Sequence, residues 1–327
     1  LAGKKFKPAF KKSLELLSKY QSDLGQIPNA VGDYNQDRKS KVTFNTIDST
    51  LWYLIGQRVY EKAYKDNSLL KKHKKNIEKA FLWLSYQDPN EDKLLVQLPT
   101  TDWQDAFPHK YGRTINTQAL YYAALRMFRK NKLALRIKKV VNGNIENYLS
   151  LYDKKRRFYL AFVWKNHDGD REQGEWFDTF GNLLAIVTNL ATPKISKNIL
   201  THIEKMKINR PYPCRAINPP LTPKNKSWQS YFSKCSAKDP YQYLNGGVWP
   251  FIGGFYIAAL IKTKQYKKAE KELRVLEKAN ELRDWAFNEW LDGKTGKAKG
   301  ADSQAWSAGA YLYAFECLKK KKVLFFN

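Results

Sequence analysis

The sequence predicts an all-α fold, a ring of inner helices wrapped by outer ones, and two observations predict it. Five segments share one pattern: a polar start, then a helix-like run rich in Ala, Gly, Leu and aromatics with few charges. Between them lie more strongly charged stretches whose apolar residues recur at helical spacing. A helix that is apolar nearly all round is buried, whereas one with a charged face looks outward. Regular alternation of the two kinds is what a two-layered helical ring requires.

The inner segments are "DSTLWYLIGQRVYEKAY" from Asp48, "NTQALYYAALRMF" from Asn116, "TFGNLLAIVTNLA" from Thr179, "NGGVWPFIGGFYIAALI" from Asn245 and "DSQAWSAGAYLYAFECL" from Asp302. Their starts lie 57 to 68 residues apart. Outer helices are expected over 6–20, 67–86, 131–150, 194–207 and 265–280, as in "FKPAFKKSLELL" and "YKKAEKELRVLEKA". The arrangement is that of an (α/α)6 toroid, which needs twelve helices where ten are legible. The opening "LAG", followed by a basic turn, reads like the tail of an inner helix. The expectation is therefore one domain over 1–327, a toroid without its first helix pair.

Composition narrows the function classes. A hydrophobic content of 43% supports a packed core, and no apolar run reaches the ~18 residues of a membrane span. Three cysteines and four scattered histidines lack metal-ligand spacing, so neither a metal nor another cofactor is expected. Three thiols in so long a chain suit a reducing, cytoplasmic setting. The net charge of +27 raises nucleic acid as a partner. Its basic runs, "KKHKKNIEK", "KKAEKELR" and "LKKKK", instead sit apart at helix-surface spacing, without a recognition motif. They are read as solvated helix faces.

Long loops precede each inner helix, over 21–47, 87–115, 151–178, 208–244 and 281–301. Loops of that length are usually functional, and these converge on the N-terminal ends of the inner helices. They are rich in Trp, Tyr, Asp, Glu, Asn and Gln. Aromatic faces beside carboxylates and amides suit sugar recognition, since pyranose C–H faces stack on rings while hydroxyls bond the polar groups. Cleaving a glycosidic bond needs two carboxyl groups, one to protonate the leaving oxygen and one acting on the opposite face. By residue type the candidates are Asp102 or Asp105 in "TTDWQDAFPHKYGRTINTQALYY", and Glu289, Asp284 or Asp292 in "DWAFNEWLDGKTGKAKG". Asp33, Asp37, Asp168 and Glu172 also lie in loops, but without comparable aromatic neighbours in the sequence.

Five stretches, in order, resemble the alkaline/neutral invertase family of glycoside hydrolases, and more distantly the catalytic domains of amylo-α-1,6-glucosidases. They are "TIDSTLWYLIGQRVY", "TTDWQDAFPHKYGRTINTQALYYAAL", "FDTFGNLLAIVTNLATPK", "YLNGGVWPF" and "NEWLDGKTGKAKGADSQAWSAGAYL", spanning roughly 20–315. The resemblance implies an (α/α)6 toroid and hydrolysis with inversion. It implies that Asp105, in Trp103-Gln104-Asp105 ahead of Tyr111-Gly112, is the general acid, with Asp102 supporting the loop. The general base would be Glu289, in Glu289-Trp290-Leu291-Asp292-Gly293. Implied sugar-binding positions are Asp48, Gln118, Asn245, Trp249 and Gln304, while Trp103 and Tyr111 would wall the site. Asp48, Asn245 and Asp302 could equally cap helices, and Asp302 is read as a cap. Where the family often has His before Asn-Gly-Gly, this chain has Leu244.

The expected function is thus cleavage of an α-glucosidic bond, with sucrose as leading substrate and an α-1,6 branch in a glucan as competitor. The rival is a non-enzymatic helical module whose basic surface binds nucleic acid or another polyanion.

Overall fold

The computed structural model of the protein describes residues 3–32, 41–146, 148–165 and 169–326. Its inner helices are α2 (Asp48–Tyr64), α5 (Ile115–Met127), α7 (Thr179–Val187), α9 (Pro250–Lys262) and α11 (Ala305–Lys319). The outer ones are α1 (Lys7–Lys19), α3 (Ser68–Lys72), α4 (Lys74–Ser85), α6 (Asn131–Val141), α8 (Pro193–Lys205) and α10 (Tyr266–Trp285). Every residue of α7 is buried, and so is all of α5 except Arg126. Outer helices bury single stripes, such as Ala134, Ile137, Val140 and Val141 on α6, or Ile195, Ile199 and Ile203 on α8. The alternation legible in the sequence is therefore the layering of the fold.

Packing runs from α2 to α5, α7, α9 and α11, with each outer element laid on its inner neighbour. The tightest step is α9 against α11. A Cβ on Gly254 would lie 2.5 Å from the Ala310 carbonyl oxygen, so glycine lets the two backbones approach. Five inner helices make an arc of a toroid. Between its ends, α2 and α11 flank an apolar groove of about 490 Å³, lined by Trp52, Phe255, Trp306 and Tyr313 among others.

Several boundaries differ from expectation for local reasons. The outer helix placed over 131–150 stops at Val141, and Gly143 follows at φ 71°, the left-handed conformation that ends helices. The helix begun at Asn245 starts at Pro250, whose ring suits the first helical turn. The stretch 67–86 breaks at His73, whose Nδ1 pairs with the Gln57 amide 3.0 Å away. The cap expected at Asp302 is not formed, and neither Asp48 nor Asn245, for which capping was the alternative to a sugar contact, caps its helix. Asp48 is itself the first residue of α2 and makes no cap bond, while Asn245 and Asp302 lie upstream of their helices. Thr114, Asp178 and Thr192 are the caps, accepting from the N–H groups of Thr117, Gly181 and Ile195.

The long loops are not structureless. Short antiparallel pairings connect them in series around one face: Arg113 with Val163, Leu160 with Phe177, Asp178 with Ile217, Arg215 with Val248, and Val248 with Leu291. The first loop joins through the Ile47 N–H, which donates to the Thr101 carbonyl at 2.8 Å. These pairings were invisible to helical periodicity. They turn separate loops into one frame.

Candidate active site

Asp102 and Asp105 sit three positions apart in one loop, yet the fold treats them differently. Asp102 is 1% exposed and fully engaged. Its Oδ1 accepts from the Gln104 N–H at 2.9 Å, and its Oδ2 from Gln97 Nε2 and Lys110 Nζ, each at 3.1 Å. Lys110, also 1% exposed, donates to Asp178 Oδ2 at 2.8 Å, and Asp178 caps α7 through its other oxygen. Burial alone would pull the ammonium down, but the two carboxylates outweigh it and hold its pKa above the ordinary value. Asp102, Lys110 and Asp178 are thus a buried brace between the loop and the start of α7.

Asp105 instead remains an exposed residue. Its pKa is raised, first by the loss of surrounding water and then by the charges of Asp102 and Glu289. The charge of Glu289, from the fifth loop, therefore reaches Asp105.

An aromatic relay joins the two motifs. Trp103 meets Trp249 edge-on at 5.8 Å, Trp249 meets Tyr243 at 5.2 Å, and Tyr243 meets Trp290 edge-on at 5.9 Å. Glu289 is half-buried, and its Oε2 accepts from the Ala301 N–H at 3.1 Å. A Cβ on Gly300 would fall 2.5 Å from that same Oε2 and 2.6 Å from the Trp290 ring, at φ +68°. Only glycine leaves the Glu289 carboxylate where it stands.

The other acids of that loop are committed elsewhere. Asp292 Oδ1 accepts from the N–H groups of Lys294 and Thr295. Burial would raise its pKa, but the Thr295 N–H and the Gln242 amide hold it below the usual carboxylate value. Asp284 points out of the kink that ends α10, exposed, with φ 57°. Asp33, Asp37 and Asp168 lie outside the described residues.

The expected sugar contacts divide in two. Trp103, Tyr111 and Gln304 keep accessible surface. The other four are buried and hydrogen-bonded within the protein. Gln118 is 0% exposed, and its amide both donates to the Leu95 carbonyl and accepts from the Leu95 N–H. Asn245, 0% exposed, donates to the Leu221 carbonyl and accepts from the Leu221 N–H. Trp249, 1% exposed, donates from its indole N–H to the Tyr243 carbonyl. Buried Asp48 accepts from the Trp103 N–H at 2.8 Å, tying the Asp105 loop to α2. Burial and the neighbouring Asp102 push the Asp48 carboxyl up to about 7.

Sequence reasoning passed over several residues here. Lys110 looked like any surface lysine in a lysine-rich chain. Glu172 was set aside for lacking aromatic neighbours, yet it accepts from the Tyr111 hydroxyl at 2.6 Å beside a cavity of about 250 Å³ lined by Phe162, Trp176 and Phe232. Burial and Glu172 together raise the Tyr111 pKa well above its ordinary value. Gln104, between Trp103 and Asp105, buries an amide with no hydrogen-bond partner among the described residues. None of these had a sequence signal, because burial and contacts such as Lys110 with Asp178 and Tyr111 with Glu172 are set by the tertiary fold.

Comparison with known proteins follows this geometry. The fold is shared with a mannosylglycerate hydrolase of glycoside hydrolase family 63 from Thermus thermophilus, solved with glucose: TM-score 0.69 and 14% identity over 95% of this chain and 88% of that one. A rhamnosidase from Klebsiella oxytoca, solved with rhamnose, gives a TM-score of 0.60 and 12% identity over 96% of this chain and 54% of that one. In sequence, the chain is 24% identical to a probable alkaline/neutral invertase A, chloroplastic, of Arabidopsis thaliana, over 85% of this chain and 52% of that protein. It is 32% identical to cytosolic invertase 1 of Oryza sativa subsp. japonica over 47% of this chain and 27% of that protein. The chain thus spans about half the length of the first of these relatives. The family profile described as alkaline and neutral invertase matches residues 139–321, a stretch that includes Glu289 and begins after Asp105. With more than half of its length matched, and with a helical toroid shared with glycoside hydrolases, the chain belongs to the alkaline and neutral invertase family.

Proposed function

We propose that the protein is a glycoside hydrolase that cleaves an α-glucosidic bond with inversion, and that sucrose is its first substrate to test. The supporting observation is that Asp105, its pKa raised by burial and then by the charges of Asp102 and Glu289, lies within electrostatic reach of Glu289 in a chain of this family. Asp105, with its pKa raised, keeps a proton for the leaving oxygen. As the bond from the anomeric carbon to that oxygen lengthens, the proton passes from Asp105 and the leaving group departs as an alcohol. Glu289 takes a proton from a water attacking the anomeric carbon from the opposite side. The sugar is released with inverted configuration, and each carboxyl group ends in the other's starting protonation state.

Inversion calls for carboxyl groups ~6.5–9.5 Å apart, with room for the water between them. Trp103 and Tyr111 are the surfaces on which the sugar would stack, and Glu172 would orient the Tyr111 hydroxyl. All three cysteines are free thiols, which fits a reducing compartment such as the cytoplasm. No helix among the described residues is long and apolar enough to cross a membrane.

The test is a substrate screen over sucrose, isomaltose, panose and branched dextrins, with the first-released anomer followed by NMR. Prompt β-glucose from sucrose is the expected result. Cleavage of isomaltose or panose in preference to sucrose moves the substrate to an α-1,6 glucan, and α-glucose as first product overturns inversion.

A further inference from the structure

The cavity of about 250 Å³ beside Tyr111 is framed by three loops: Tyr111 from the second, Phe162, Glu172 and Trp176 from the third, and Gln229 and Phe232 from the fourth. The loop that carries Asp105 leads to it. Two residues past Asp105, the Phe107 ring meets Phe232 edge-on at 4.9 Å, and the chain then reaches Tyr111. The Tyr111 ring lies against Phe162 with centroids 4.5 Å apart, and Phe162 meets Trp176 edge-on at 5.7 Å. Gly174 makes room for that last pair, because a Cβ there would fall 2.7 Å from the Phe162 ring.

Packing of the loops alone explains the rings. It does not explain the polar wall that stands over them. Part of that wall is already bonded, the Tyr111 hydroxyl to Glu172 Oε2 and the Gln173 amide to Glu175 Oε1. Those bonds fix the side chains, and they leave the second Glu172 oxygen and the Gln229 amide without a partner among the described residues. Trp176 is 2% exposed, yet its indole N–H has no hydrogen-bond partner among the described residues. A buried donor of that kind is unfavourable until an acceptor meets it. The charges of the lining balance, Glu172 and Glu175 against Arg171 and Lys226, so the ligand they favour is neutral. Aromatic edges beside a free carboxylate oxygen, an amide and an unmet N–H suit a sugar, whose hydroxyls both donate and accept.

We infer that this cavity is a subsite for the sugar on the leaving-group side of the scissile bond, with its hydroxyls bonded to Glu172, Gln229 and the Trp176 indole N–H. The inference rests on the reading of the chain as a glycoside hydrolase with Asp105 as its acid. An acid protonates the leaving oxygen, so the departing sugar lies on the side of the loop that carries the acid.

Nitrogen-15 NMR of the Trp176 indole tests it, with the resonance assigned by its loss in Trp176→Phe and the titrations run on Glu289→Gln protein so that sugars are not consumed. Sucrose or panose is expected to shift that resonance saturably, and glucose at equal concentration much less. Steady-state kinetics gives a second readout. Trp176→Phe keeps an aromatic ring and should raise KM roughly fivefold, the scale of one neutral hydrogen bond, with kcat almost unchanged. Gln229→Ala, a change at the exposed rim, should raise KM by a smaller factor and carries the test if Trp176→Phe does not fold. An indole resonance unmoved by either sugar overturns the subsite, whatever the enzyme cleaves, and so does parent-like KM in both variants. A saturable shift in a protein that turns over no glucoside supports the sugar site and overturns the hydrolase reading instead.

Discussion

Asp105 and Glu289 come from the second and fifth loops, yet the charge on Glu289 raises the pKa of Asp105. That relationship can be read without any substrate. In Glu289→Gln, the Asp105 carboxyl should titrate at lower pH than in the parent, as followed by carbon-13 NMR of labelled aspartate. An unchanged titration would mean that the two groups do not share a field.

For turnover, Asp105→Asn and Glu289→Gln should each lower kcat on the best substrate by ~10²–10⁴-fold, the span that general acid–base groups contribute. Thermal melting should be almost unaffected, because neither carboxylate braces the core. Full activity in either variant would remove that residue from its proposed role.

Lys110→Met should be a stability variant. It strands Asp102 and Asp178 as buried carboxylates without their shared cation, and breaking a buried pair from one side costs about 3–5 kcal/mol. Urea denaturation measures this directly. A loss below about 1 kcal/mol would show that the brace contributes little.

Asp48 supplies a pH test. Its folded pKa of about 7 lies above the ordinary 3.8, so between these values the folded protein holds a proton that the unfolded chain has released. Its contribution to stability is complete below about pH 4 and is lost as the pH rises towards 7, by at most ~1.4 kcal/mol per unit. Asp48→Asn should remove that slope, seen as the parent-minus-variant difference in denaturation free energy from pH 4 to 8. A difference that stays flat would place the Asp48 pKa near its ordinary value.

Gly300→Ala should damage activity more than stability. The new methyl group would displace Glu289 Oε2 or the Trp290 ring, and the left-handed backbone adds ~1–2 kcal/mol of strain. Activity should fall by an order of magnitude or more while melting shifts by a few degrees. Parent-like kcat would show that Glu289 tolerates the shift.

By itself the sequence determined the layering of the fold. Apolar helices from Asn116 and Thr179 are buried almost as written, because helical periodicity is a local property that burial then selects. Resemblance to short family motifs, whose residues are neighbours in the chain, pointed to Asp105 and Glu289 among the acids that residue type alone left open. Tertiary structure decided what each loop residue meets. Gln118 and Asn245, whose motif positions imply sugar contacts, are buried with their amides bonded to Leu95 and Leu221. Lys110 looked like surface until two aspartates from different loops enclosed it, and Glu172 looked isolated until Tyr111 reached it. These outcomes depend on the pairings that connect loop to loop, such as Arg113 with Val163 and Val248 with Leu291. Such pairings are only one or two residue pairs long and carry no periodicity, and their partners are separated by tens of residues, so only the assembled chain brings them together.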